Sequence, residues 1–263
     1  METKLQALSA FLKEKPFNVI LWKFYCKLFN ATIPDLQSWI SLVENKSGIE
    51  IGGPSGIFSA KNFLPLYPFI KSLDGVNFSN QTIWEGKLDQ GQNYYYAGKT
   101  GFQFIDEGTD LKQIKDHQYD FVLSCNNLEH IANPVKALLA WKRIIKPGGI
   151  VILILPRKES NFDHKRSVTT FQHLKQDFEN NVDENDLTHL NEILEQHDLK
   201  RDVHAGSFEN FKKRSEHNFE NRSIHHHVFD MQLLKEMIHF VGLQTELFYS
   251  SPTDHFMAAR RHE

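Results

Sequence analysis

Cysteine is nearly absent. Cys26 and Cys125 are the only two, and neither belongs to a CxxC unit. A cysteine-built zinc site and a disulfide framework are therefore not expected, and the scarcity fits a reducing, cytoplasmic setting. Long apolar runs are missing too. The longest, Ile150 to Leu155, falls far short of the roughly 20 residues that cross a bilayer. The opening residues METKLQALSAF place no basic stretch before an apolar core, so neither a secretory signal nor a membrane partner is expected. Positive charge is not in excess: 30 Lys and Arg stand against 33 Asp and Glu, for a net charge of -3. That balance argues against general nucleic-acid binding.

What is present is the composition of a globular protein, 40% apolar and 24% charged over 263 residues. A chain of this size buries a core without staples. Residues 1–45 read as two or three short helices punctuated by Pro16 and Pro34. Phe11, Phe17, Ile20, Leu21, Phe24, Tyr25, Leu28 and Phe29 share one apolar face, suited to a lid, to the core or to a second subunit. A homodimer is accordingly one expectation.

Residues 46–156 alternate strand-like and helix-like stretches. Strands are expected at 48–53, 74–78, 102–106 and 119–124. A helix follows from Pro134 to Ile145, and Lys146-Pro147-Gly148-Gly149 turns the chain into a buried strand at 150–155. Residues 157–229 are polar and hold nine of the 14 histidines, so they read as an insertion. Residues 230–263 carry a helix capped by Asp230, then an antiparallel strand pair. The order is that of a doubly wound α/β fold.

The segment Glu50-Ile51-Gly52-Gly53-Pro54-Ser55-Gly56 ends a strand in glycines, with a helix expected from about Ser55. Such a turn lets a backbone approach a ligand closely. The G-x-G-x-x-G spacing of a dinucleotide fold is absent, which disfavours a nicotinamide oxidoreductase. The acid at Glu50, two residues before Gly52, suits a ligand carrying an ammonium or hydroxyl groups.

This stretch resembles the first motif of class I S-adenosylmethionine-dependent methyltransferases, with Pro54 in place of the middle glycine and Gly53 as an extra residue. The resemblance covers residues 48–156. It implies a Rossmann-like seven-stranded sheet, preceded by N-terminal helices and followed by a polar cap inserted after strand five. As cofactor-binding residues it implies Glu50, Gly52, Gly53, Pro54 and Ser55. Asn77 would face the ribose, Asp106 with Glu107 the adenine amine, and Asn126 would follow strand four.

Phe162-Asp163-His164-Lys165-Arg166 and Arg222-Ser223-Ile224-His225-His226-His227-Val228-Phe229 are similar to F-D-H-x-R and R-x-x-H-x-H-V-F segments of a bacterial subgroup of the type 11 methyltransferases. Expected roles are His164 as base, Asp163 orienting it and Arg166 holding a polar acceptor. His225 and His227 alternate on an extended segment and form a candidate metal pair with His164 or Asp163. His189 and His197 read as a solvated helix face. The implied activity is methylation, through oxygen, of a hydrophilic small molecule or glycan. The alternative from another class is a catalytically silent S-adenosylmethionine-binding partner protein.

Overall fold

The structure is a computed structural model and describes residues 16–262. Phe11 and the expected first helix lie outside the described residues. Ten strands form one eight-stranded sheet and a small hairpin. They are β1 (Ser47–Ile51), β2 (Ser72–Asn77), β3 (Gln81–Thr82), β4 (Gly86–Lys87), β5 (Gly91–Tyr96), β6 (Lys99–Ile105), β7 (Tyr119–Cys125), β8 (Ile145–Pro156), β9 (Leu243–Ser250) and β10 (Asp254–Arg261).

The order is β5-β6-β2-β1-β7-β8-β10-β9. The run from β6 to β8 is parallel; β5 and the β9–β10 pair are antiparallel. The chain winds from β1 out through β2 to β6, then crosses back to β7 on the other side. The strand order therefore reverses at β1, and a crevice opens beyond the carboxyl ends of β1 and β7, where such folds hold ligands.

The sheet has eight strands rather than the expected seven. The extra one is β5, joined to β6 by a two-residue turn at Ala97 and Gly98, both with positive φ. Tyr94 and Tyr96 are buried while Tyr95 between them is exposed, the period-two pattern of an edge strand.

One face of the sheet is covered by the helices Pro134–Ile144 (α3) and Met231–Phe240 (α8). Pro134 occupies the first turn of α3 and Asn133 caps it, accepting from the Lys136 amide. Asp230 caps α8 in the same way. The other face is covered by Leu36–Val43 (α2) and by irregular chain carrying Phe58, Leu64, Leu66 and Tyr67. The helix expected from Ser55 is absent; one 3-10 turn, Gly56–Phe58, stands there. With Pro54, Pro65 and Pro68 in this stretch, backbone donors are missing and φ is fixed. Phe17–Phe29 (α1) buries only Val19, while Phe17, Phe24 and Phe29 remain exposed. Its apolar face does not lie on the core.

The insertion forms helices Phe171–Glu179 (α4), Leu190–Gln196 (α5), Phe208–Glu216 (α6) and Asn218–Asn221 (α7), around a small cluster of Ile193, Ala205, Phe211 and Ile224. Among the described residues, no helix is long and apolar enough to cross a membrane.

Strand β6 approaches β2 so closely that a Cβ on Gly101 would lie 1.8 Å from the Leu73 carbonyl oxygen. Backbone cannot yield there as a side-chain tip would. Gly101→Ala is expected to destabilise the protein by about 1–3 kcal/mol, the usual cost of overpacking, read as a lower urea midpoint at unchanged slope. An unchanged midpoint would refute this tight pairing.

Candidate functional site

A cleft of about 1060 Å³ opens at the carboxyl ends of β1, β2 and β7. It has the size of a small-molecule site. One wall is the glycine loop, through Gly52, Pro54 and Ser55; Asn77, Asp106 and Glu107 line the floor; the opposite wall carries Asn126, Glu129, His130 and His225. Ile83 and Trp84, on the β3–β4 hairpin, are exposed at the rim.

Gly52 has φ +82, and a Cβ there would fall 2.6 Å from Asn127 Oδ1. Only glycine lets the loop pass this close to the wall. The Gly53–Pro54 bond is cis.

Glu50 is fully buried and does not line the cleft, which corrects the expectation of direct ligand contact. Its Oε2 accepts from the hydroxyls of Tyr67 and Tyr94, both at 2.6 Å, and its Oε1 from the Ser55 amide at 3.0 Å. Burial pushes its carboxyl up against these three donors, and burial beside it raises both tyrosines, which keep their protons to donate. Glu50 therefore acts on the cleft through the loop it holds. Gly53 faces inward, and its carbonyl accepts from the Asn77 amide at 3.2 Å.

Asp106 spends its carboxylate on its own loop, accepting from the amides of Glu107 and Gln113. Glu107 pairs with Arg222 at 3.0 Å. Asn126 lies in the left-handed region, φ 47, and its amide donates to Ile154.

The insertion residues are arranged differently from the sequence expectation. Asp163 does not orient His164. Adjacent side chains in a tight turn diverge, and His164 bonds Asp198 at 2.9 Å, away from the cleft lining. Asp163 instead holds Nδ1 of His225 at 2.5 Å and Arg166 at 3.1 Å. Arg166 is only 2% exposed and donates to the carbonyls of His225 and His226. It is built into the protein and cannot reach an acceptor. His225 and His227 do not converge with His164; His227 is drawn off to the Ala132 carbonyl at 3.0 Å. His197 is not solvated either. It stacks on Phe162 and pairs with Asp202.

Asn127, Glu129 and His130 are not among the site residues expected from the sequence. Buried Asn127 Nδ2 and Glu129 Oε2 have no hydrogen-bond partner, and both residues line the cleft. Glu129, His130 and His225 present ligand atoms within 4.8 Å of one another. Burial lifts Glu129 to about 7 despite the attraction of His225. Burial drives His130 well below its ordinary value. It opposes the charge on His225 as well, yet the Asp163 carboxylate prevails and holds His225 above the usual imidazole range. Asp163, which burial would raise, is held at about 2 by His225 and Arg166.

Residues 50–153 match the family model of a methyltransferase domain. The matched segment runs from the glycine loop through β8 and so contains one complete wall of the cleft. The match supports S-adenosyl-L-methionine as the cofactor. The residues present fit that group: the loop leaves open space at Gly56, and Asn127, whose Nδ2 has no hydrogen-bond partner, lines the cleft.

Among solved structures, an S-adenosylmethionine-dependent methyltransferase from Aquifex aeolicus is 12% identical over 86% of this chain and 89% of its own, with a TM-score of 0.44. The YcgJ protein of Bacillus subtilis is 10% identical over 87% and 98%, at 0.47. An S-adenosylmethionine-dependent methyltransferase from Methanosarcina mazei is 13% identical over 88% and 99%, at 0.43. No curated protein matches the chain significantly.

Glu50→Ala removes the acceptor of two buried tyrosine hydroxyls and one of the two acceptors of the Ser55 amide. Each stranded donor costs about 1–3 kcal/mol, so the thermal midpoint should fall sharply. S-adenosylmethionine binding, measured by calorimetry, should weaken with it because Ser55 loses one of its two acceptors. Unchanged affinity in a folded variant would show that the loop does not depend on this carboxylate.

Proposed function

We propose that the chain transfers a methyl group from S-adenosylmethionine to a hydroxyl of a hydrophilic small molecule or glycan. The observation that carries this reading is the cleft itself, with a bare-backbone loop on one wall and a titratable cluster of Glu129, His130 and His225 on the other. The cofactor supplies a methyl on a positively charged sulfur, already activated for in-line displacement. The protein's task is then alignment, which is worth roughly 7–11 kcal/mol, and removal of the hydroxyl proton.

His225 is the base of choice. Asp163 holds its Nδ1, which fixes the tautomer and leaves Nε2 as the atom that takes a proton. Asp163 and Arg166 are positioning residues in this reading. Glu129 beside it shares the resulting charge, and the two titrate as a pair. The polar wall favours a hydroxyl-rich acceptor over a lipid.

The alternative, a silent cofactor-binding partner, draws on Asn77 and Asp106, whose polar groups are partly spent on their own loops. Release of S-adenosylhomocysteine across a panel of glycans, sugars and phenols separates the two. Binding of the cofactor without turnover on any acceptor would favour the silent protein.

For the enzyme, His225 must be neutral to act, and its pKa is raised. The rate should therefore fall as pH drops through a value above the ordinary histidine range, with unit slope. His225→Ala should lower kcat by about 10²–10⁴-fold, the usual contribution of a positioned base, and flatten that acid limb, while cofactor affinity stays within a few fold. Full turnover in His225→Ala would remove the base from this role.

A further inference from the structure

A second histidine cluster lies in the insertion, outside the cleft lining. Three elements build it. His173 and Asp177 stand one turn apart on α4 and so share a face. His189 precedes the first turn of α5, and His227 comes from the extended segment before α8. Their four ligand atoms lie within 4.8 Å of one another. His173 Nε2 is 2.9 Å from His189 Nε2 and 3.3 Å from Asp177 Oδ2, and His227 Nε2 is 3.8 Å from that same oxygen. A tetrahedral ion with metal–nitrogen bonds of about 2.0–2.1 Å spaces its ligands about 3.3 Å apart. The three separations bracket that value.

The cluster is also incomplete without an occupant. Asp177 is 7% exposed, and its Oδ2 has no hydrogen-bond partner. We propose that His173, Asp177, His189 and His227 bind a divalent transition-metal ion, with zinc as the preferred occupant.

Three imidazoles and one carboxylate select zinc, nickel or cobalt over magnesium or calcium, which want oxygen ligands. His227 Nε2 lies 3.0 Å from the Ala132 carbonyl. It donates there without the ion; for Nε2 to ligate, that proton would pass to Nδ1, which has no hydrogen-bond partner of its own. Nδ1 of His189 faces Glu192 at 3.8 Å, and Glu192 in turn meets Arg166 at 3.4 Å. A carboxylate behind a ligating imidazole is a common second layer in metal sites. Four protein ligands, none of them lining the cleft, make this a closed, structural site. It would hold the segment that also carries His225.

The test uses the full chain without an affinity tag, loaded with zinc and dialysed against metal-free buffer, with metal content read by elemental analysis. One zinc per chain is expected, with a thermal midpoint that drops on adding a chelator. His173→Asn combined with His189→Asn should lose bound zinc at least tenfold and abolish the chelator response. His225→Ala should keep its zinc, which separates this site from the cleft cluster. Should the double variant fail to fold, cobalt-loaded wild-type protein replaces it, and strong four-coordinate visible bands are expected. A zinc-free wild type, zinc retained by the folded double variant, or weak six-coordinate cobalt bands would each overturn the proposal. These readouts are independent of methyl transfer.

Discussion

One buried carboxylate organises the polar side of this molecule. Asp163 is 3% exposed and is shared between the Arg166 guanidinium and the His225 imidazole. Any of these charges alone would cost several kcal/mol to bury. Together they are paired, and Arg166 also donates to the carbonyls of His225 and His226. The turn after β8 is thereby clamped to a segment some sixty residues further on. That clamp aims His225 into the cleft. Without it, the wall facing the glycine loop would have no fixed chemistry.

The two walls of the cleft differ in kind. The loop wall offers backbone, with open space at Gly56, and its carboxylate, Glu50, is withdrawn behind two tyrosine hydroxyls. The opposite wall offers groups poised near neutrality: Glu129 at about 7 and His225 above its ordinary range. Environments that push titratable groups toward the working pH mark places where protons are moved. A sulfonium cofactor needs no such help for its own activation. In the proposed reading the asymmetry gives the loop to the methyl donor and the titratable wall to the acceptor.

The parallel strands were legible because β8 carries a continuous apolar run and β7 a shorter one, Phe121-Val122-Leu123, while β1 is marked by the glycines that end it. Pro134 and Asp230 announced their helices by capping chemistry that is local to the chain. Strand β5 was not found, because its three tyrosines and an Ala-Gly turn lack the strong apolar alternation of an interior strand. A helix after the glycine loop was expected from the motif, and prolines further along prevented it. The candidate site divides in the same way. Of the expected loop residues, Gly52, Pro54 and Ser55 line the cleft while Glu50 and Gly53 face inward, and His164, expected as the base because it adjoins Asp163 in sequence, bonds Asp198 instead. Partner choice across the insertion is a property of the folded chain, and spacing alone does not carry it.

The insertion shows why a histidine-rich, polar stretch need not be a solvated one. Its own apolar cluster is four residues deep, Ile193, Ala205, Phe211 and Ile224, too little to hold four short helices against their conformational entropy. α4 also packs Leu174, with Phe171 and Phe178, into the main core, and polar groups facing inward onto that core add to the hold. Asn133 caps α3 and also donates to the Asp177 carbonyl at the end of α4. The Ala132 amide donates to Glu184 at 3.1 Å, and the His226 amide to the Glu129 carbonyl at 2.8 Å. Such networks demand that every member find its partner, so they specify one arrangement more strictly than an apolar contact does. A base must be held to within a fraction of an ångström of its proton. In the proposed reading, building the acceptor wall from a network of this kind makes the rigidity needed for chemistry and the attachment of the insertion one and the same set of interactions.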